Sequence, residues 1–339
     1  MEGKKPSKKV SDNGIKTKHA EFETLALKPH GITIEDDRKH VNPFQHFATD
    51  PAPTTGVISH YKSKNGLQDT SLWLEGDDQF TEDILREYKS MKEFKLCESE
   101  YSLYAFENLL KREMRSPHLP NTTSWLTERM VEFTTRPGDH HWETPPVIHE
   151  KVARKDYAFD VRPDCSYWIT LQAFHPKYRK RIEEHVLVRH GRILWPYFII
   201  EFKKDSESNR NGTTFKTARN QIAAASAIGL YNRWKLKKRA LDATGQQWGP
   251  KTAQMLRHYG ITFVGCNYDI WCIEADVGSS GTWTGCRMFR LYEDKCSTAE
   301  GVHGFINWVN EIHSWGLTVY GPDCEKDVKD CIDSASEAG

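Results

Sequence analysis

No apolar run in this 339-residue chain approaches the ~18–20 residues needed to cross a bilayer, which excludes a transmembrane helix. The first twenty residues carry lysines but no apolar stretch of the kind that heads a secretory leader, so the expected location is intracellular, nuclear or cytoplasmic. Charge of one sign is also missing: 47 Lys and Arg balance 47 Asp and Glu, and the net charge names no partner. Eight cysteines are present, but no C-x-x-C and no paired Cys/His spacing, which excludes a disulfide miniprotein and a zinc ribbon. These cysteines are expected to be reduced and buried. No internal repeat is apparent. What is there is core material: 38% of residues are hydrophobic and 12% aromatic, with 11 Trp. That suffices for two domains or one decorated α/β domain.

The charges are unevenly distributed. Residues 201–240 gather Lys203, Lys204, Arg210, Lys216, Arg219, Arg233, Lys235, Lys237, Lys238 and Arg239, whereas residues 323–337 carry six acids. A basic stretch in a neutral protein is either a phosphate-facing surface or the solvated face of a helix. The pattern alone does not separate the two.

Residues 1–60 are polar, Lys- and Pro-punctuated and poorly periodic, and are expected to form a flexible arm. Residues 61–320 are expected to form the folded domain, and 321–339 an acidic tail. Helical periodicity appears over 81–94 and again over 99–114, where Leu103, Phe106, Leu110 and Met114 make an apolar stripe that also carries Glu107. A carboxylate on a buried stripe is costly unless it is paired or ligating. Segments 157–162 and 166–174 read as strands, and 177–192 as a charged excursion. The continuous apolar run 193–200 suits a central strand buried on both faces, with Pro196 near its start. A polar loop (206–214) leads to an Ala-rich helix running from 215 or 217 to about 238. Strands at 261–265, 270–277 and 285–291 and a final helix at 302–314 complete an α/β (α+β) domain with a mixed sheet.

The residues that suggest chemistry are Pro163-Asp164 and, 37 positions on, Glu201-Phe202-Lys203. On a strand Glu201 and Lys203 share one face while Phe202 packs on the other. If the strands around Asp164 and Glu201 pair, the two carboxylates approach within a few ångströms. They then repel unless a cation lies between them, and oxygen ligands with open water positions suit Mg²⁺ or Mn²⁺. Lys203 is placed to orient a water or to neutralise charge growing on a phosphate. The bare Asp/Glu-x-Lys pattern is cheap, recurring at Glu2, Asp37, Glu87, Glu93, Glu293 and Asp327. Only the copy at Glu201 both ends a long apolar strand and follows a Pro-Asp on an earlier β segment. The alternative is an ordinary surface Glu–Lys pair at a strand end.

Taken with an upstream helix and a downstream Gln-bearing helix, these residues resemble the PD-(D/E)XK, or restriction-endonuclease-like, superfamily. The segments RPDCSYWI, WPYFIIEFKKD and ARNQIAAASAIGLY are similar to nuclease-like proteins of this superfamily found in filamentous fungi. The resemblance covers about 97–315. It implies an α-β-β-β-α-β core with a central mixed sheet flanked by helices, to which this chain adds its N-terminal arm and extra C-terminal strands and helix. It also implies a divalent metal held by Asp164, Glu201 and the Phe202 carbonyl, with Lys203 as the catalytic cation. Glu107, or Glu100, would match the acid many members carry on the first core helix, and Gln221 the glutamine some place on the second. Asp160 is the alternative to Asp164 if the strand extends back.

The expected function is therefore Mg²⁺- or Mn²⁺-dependent hydrolysis of phosphodiester bonds, in DNA rather than RNA. Lys204, Arg210, Lys216, Arg219 and Gln221 would contact nucleic acid. The alternative is a nuclease-fold module that binds nucleic acid or a protein without turnover.

Overall fold

The computed structural model describes residues 14–36, 40–113, 126–138, 141–204, 212–249, 252 and 255–337. One seven-stranded mixed sheet organises them, with strands β1 (Ile32–Glu35), β2 (Thr127–Val131), β3 (Cys165–Thr170), β4 (Ile193–Lys203), β5 (Arg257–Val264), β6 (Asn267–Val277) and β7 (Trp283–Lys295) in the order β1-β7-β6-β5-β4-β3-β2. β2, β3 and β4 form an antiparallel meander, β5 runs parallel to β4, β5-β6-β7 is a second meander, and β1 adds parallel to β7. The crossover from β4 to its parallel neighbour β5 is made through the helix Thr213–Thr244, as a parallel pair requires.

Strand alternation builds two cores. Tyr167, Phe198, Ile200, Phe202, Tyr259, Ile261 and Phe263 face one layer, formed by the helices Asp78–Glu93, Glu98–Asn108, Ala299–Trp315 and Gly321–Glu337. Trp168, Ile199, Trp271 and Ile273 face the other, formed by the Ala-rich half of the helix Thr213–Thr244 and the N-terminal segment. Burial on both faces is what the unbroken apolar run at 193–200 demands. Small residues let that helix approach: a Cβ on Gly260 would stand 2.5 Å from Ile222, so the contact needs glycine. Pro196 sits opposite Trp168 at a register shift in the β3–β4 ladder, while β5 begins pairing only at Phe198, so the absent N–H costs no regular bond.

Three expectations are corrected. The N-terminal region is not a loose arm among its described residues: Phe22, Leu27 and Ile32 are buried, and β1 is a strand of the sheet. Phe22, Leu27 and Ile32 join the second core and Val57 the first, contacts that hydrophobic periodicity cannot register over such short elements. Segment 157–162 is not a strand; only Val161 makes an isolated bridge, to Thr135. Nor is 321–337 a tail, since Cys324, Val328 and Ile332 lie in the first core.

The acids of that last helix also resolve the basic stretch. Arg233, fully buried, pairs with Asp323 and with Asp327 (2.6 Å), and Lys237 Nζ lies 2.7 Å from each of the same two carboxylates. Burial pushes the Asp323 carboxyl up, but the two cations outweigh it and hold it below its ordinary range. Lys238 pairs with Asp242, Lys235 with Glu143, and Arg239 donates to the His185 carbonyl. The second half of this helix is therefore committed to intramolecular contacts.

Removing one member of a buried ion cluster strands its partners. Asp327→Ala should destabilise the protein by about 3 kcal/mol or more, and Lys326→Ala, an exposed pair with Asp330, by under about 1 kcal/mol, as read by urea unfolding. Acid should destabilise too. Burial pushes His258 and His313 down from 6.5 to about 3, so the unfolded chain takes up protons that the folded one refuses. The stability they contribute is complete above the ordinary histidine value and is lost as the pH falls toward 3. His258→Leu should flatten that fall by about 1 kcal/mol per pH unit between pH 4 and 6; an unchanged slope would refute it.

Candidate functional site

Asp164 lies just before β3, and the pairing of Cys165 with Ile200 brings it level with Glu201 on β4. Phe202 N–H donates to Asp164 Oδ2 at 2.7 Å, which fixes the carboxylate against the strand. Alternation then does what the sequence requires. Phe202 turns away into the first core, stacked on Phe263 at 5.1 Å and edge-on to Phe106, while Glu201 and Lys203 share the opposite face. The Lys203 ammonium is 2.5 Å from Glu201 Oε1, 2.6 Å from the Phe202 carbonyl oxygen and 3.9 Å from Asp164 Oδ2. Glu201 and the Phe202 carbonyl thus contact the cationic nitrogen directly, and Asp164 stands at the limit of ion-pair distance.

Burial sets the electrostatics. Glu201 is 2% exposed. Desolvation, reinforced by the Asp164 charge and opposed by Lys203, pushes its carboxyl up to about 8. Asp164 is raised as well, chiefly by burial and further by Glu98 and Glu132, against the pull of Lys203 and the Phe202 N–H. Two acids held together in a poor solvent for charge create a local demand for a cation.

The first-helix acid is not where the apolar stripe put it. The helix Glu98–Asn108 buries Tyr101 and Ala105 and leaves Leu103 52% exposed, so Glu107 and Glu100 lie on its exposed face. Tyr101 and Ala105 meet the core together with Phe106 and, just past the helix, Leu110 of the expected stripe, while Leu103 turns outward and Met114 lies outside the described residues. Glu98, missed in the sequence, reaches the site: its Oε2 accepts from Lys204 N at 2.8 Å, and its charge acts on Asp164. The available signal was its place in the first turn of a helix, where acids are favoured.

The other expected residues divide. Lys204 and Lys216 are exposed, and Arg210 falls outside the described residues. Arg219 pairs with Glu23 at 3.1 Å and Asp36 at 3.0 Å, because the N-terminal segment brings those acids onto the helix. Asp160 is held by Arg136 at 3.1 Å and belongs to no strand, so the backbone register favours Asp164 as the partner of Glu201. Gln221 lines a cavity of about 420 Å³ together with Glu201 and Asp160. The look-alike Glu293 is matched by Arg290 at 2.7 Å.

Among the described residues no three or more His, Cys, Asp or Glu side chains group as a metal cage, and no helix is long and apolar enough to span a membrane. The chain matches no family model, no curated protein and no solved structure.

Proposed function

We propose that this chain is a metal-dependent nuclease of the PD-(D/E)XK type, hydrolysing phosphodiester bonds in DNA. The observation that carries the reading is the convergence of Asp164, Glu201 and the Phe202 carbonyl on the Lys203 ammonium. The order of elements supports it. The helix Glu98–Asn108, the β2-β3-β4 meander, the helix Thr213–Thr244 and the parallel strand β5 follow the α-β-β-β-α-β sequence that the resemblance implies.

Two carboxylates and a carbonyl are a hard oxygen set that fits Mg²⁺ or Mn²⁺, with water completing the shell. Bound there, such an ion supplies electrophilic stabilisation of a phosphoryl oxygen and a more acidic water. The protein's own groups account for the rest. Asp164, tied to Phe202 N–H, and Glu201, on the rigid central strand, hold their oxygens in place before substrate arrives. Lys203 has a partly exposed side chain at the strand end, from which its charge can meet the phosphate as negative charge builds. A second reading, a module that binds nucleic acid or a protein without turnover, draws on the lack of a third His, Cys or acidic side chain grouped at the described site.

Purified chain incubated with plasmid, single-stranded DNA and RNA, with Mn²⁺ and with chelator, tests the proposal. Asp164→Ala, Glu201→Ala and Lys203→Ala should each cut Mn²⁺-dependent cleavage by at least about tenfold with the circular dichroism unchanged. Cleavage unchanged from the wild type in all three variants would overturn it. Calorimetry with Mn²⁺ separates the second reading: heat that disappears in Glu201→Gln supports the enzyme, and no heat in either protein supports the module.

A further inference from the structure

The cavity beside Glu201 is shaped by a part of the chain that has no place in the proposed hydrolytic core. Residues 14–17 run along its outer side. Ile15 N–H donates to the Asp156 carbonyl at 3.0 Å, and Asn220 Nδ2 donates to the Thr17 carbonyl at 2.9 Å. The strap is therefore anchored both to the segment that leads into Asp164 and to the long helix. Ile15 is 7% exposed and packs into the second core. The result is a bounded pocket of about 420 Å³ with Glu201 in its wall and Pro163, the neighbour of Asp164, beside it.

The size of the pocket limits its contents. Ligand pockets run to about 300–1,000 Å³, and this one falls near the lower end, room for one nucleotide-sized group. Its chemistry limits them further. Its walls carry two acids, Glu201 and Asp160, and two bases, Lys16 and Arg162, so the lining has no net formal charge. Gln221 also lines it and gives that wall a polar side chain. Tyr157 forms an aromatic wall, braced edge-on by Phe22 at 4.9 Å and Phe159 at 4.8 Å. An uncharged base or sugar suits a lining with no net charge, with its phosphate directed to Lys203.

We propose that this pocket seats one unpaired nucleotide of the strand to be cut, so that the substrate is single-stranded or frayed nucleic acid and the 14–17 strap keeps an intact duplex out. The inference rests on the nuclease reading and deepens it. In a duplex the bases are stacked inside, and extruding one costs a few kcal/mol, whereas an unpaired strand offers its bases without that cost. Tyr157 then supplies the aromatic face, and Lys16 and Arg162 the cationic walls, that single-strand sites combine.

The test measures fluorescence anisotropy of the full chain with a short labelled DNA strand, the same strand as a duplex, and its RNA equivalent. Chelator is present to prevent cleavage. The wild type should bind the single strand at least about tenfold more tightly than the duplex. Ala225→Phe, which fills the pocket, and Gln221→Ala, which keeps the helix, should each weaken single-strand binding by about tenfold, one lost contact of ~1.4 kcal/mol. Ile15→Asp, which undocks the strap, should shrink the single-strand preference at least about fivefold. The tighter of the DNA and RNA strands identifies the sugar. Equal wild-type affinity for single strand and duplex, or full single-strand affinity in both pocket variants, overturns the inference. If the wild type still cleaves duplex in an Asp164-dependent way, the nuclease reading survives that result. A wild type that neither binds nor cleaves any of the three removes both.

Discussion

The pairing of Cys165 with Ile200 is the constraint on which the site depends. Once β3 and β4 are antiparallel in this register, Asp164 and Glu201 stand side by side at the sheet, and neither can retreat without breaking the ladder. Desolvation penalises both charges; Asp164 raises Glu201 further, and Glu98 and Glu132 raise Asp164. An ammonium two residues along the same strand face meets the demand, because period-two alternation returns Lys203 to the side of Glu201. Strand geometry, not flexible side-chain choice, sets the spacing of acid, acid and amine.

A second electrostatic arrangement governs how the charge runs are used. A basic helix half and an acidic C-terminal segment looked like separate features, one a surface for phosphate and the other a solvated tail. Folded, they meet along the helices Thr213–Thr244 and Gly321–Glu337, and their buried members cancel as Arg233 and Lys237 against Asp323 and Asp327. The exposed Lys204 and Lys216 lie toward the other end of the long helix, where Gln221 shares a cavity wall with Glu201. The neutral sum of charges thus reflects internal pairing rather than an absence of local fields.

Elements whose signal is local were legible. The apolar run of β4, the Ala-rich helix behind it and the final amphipathic helix fall where periodicity placed them, with ends differing by a few residues because caps such as Asp77 and Thr298 decide the first turn. Elements whose signal is distributed were not. β1 is only four residues long and is a strand because β7 offers it an edge. The helix Glu98–Asn108 buries the face that its neighbours leave room for, so Leu103 ends outside and Glu98, not Glu107, comes to the site.

The amino-acid sequence by itself determined which side chains can do chemistry: an acid after a proline, then an acid and a lysine at strand spacing on the apolar strand. Those relations are covalent and periodic, so they survive in one dimension. Only the tertiary structure decided that the amine lies on the acids, that Arg219 pairs with Glu23 and Asp36, and that N-terminal residues 14–17 line the cavity beside Glu201. Each of these depends on residues far apart in the chain being driven together by burial, and no local pattern encodes which distant partner will arrive.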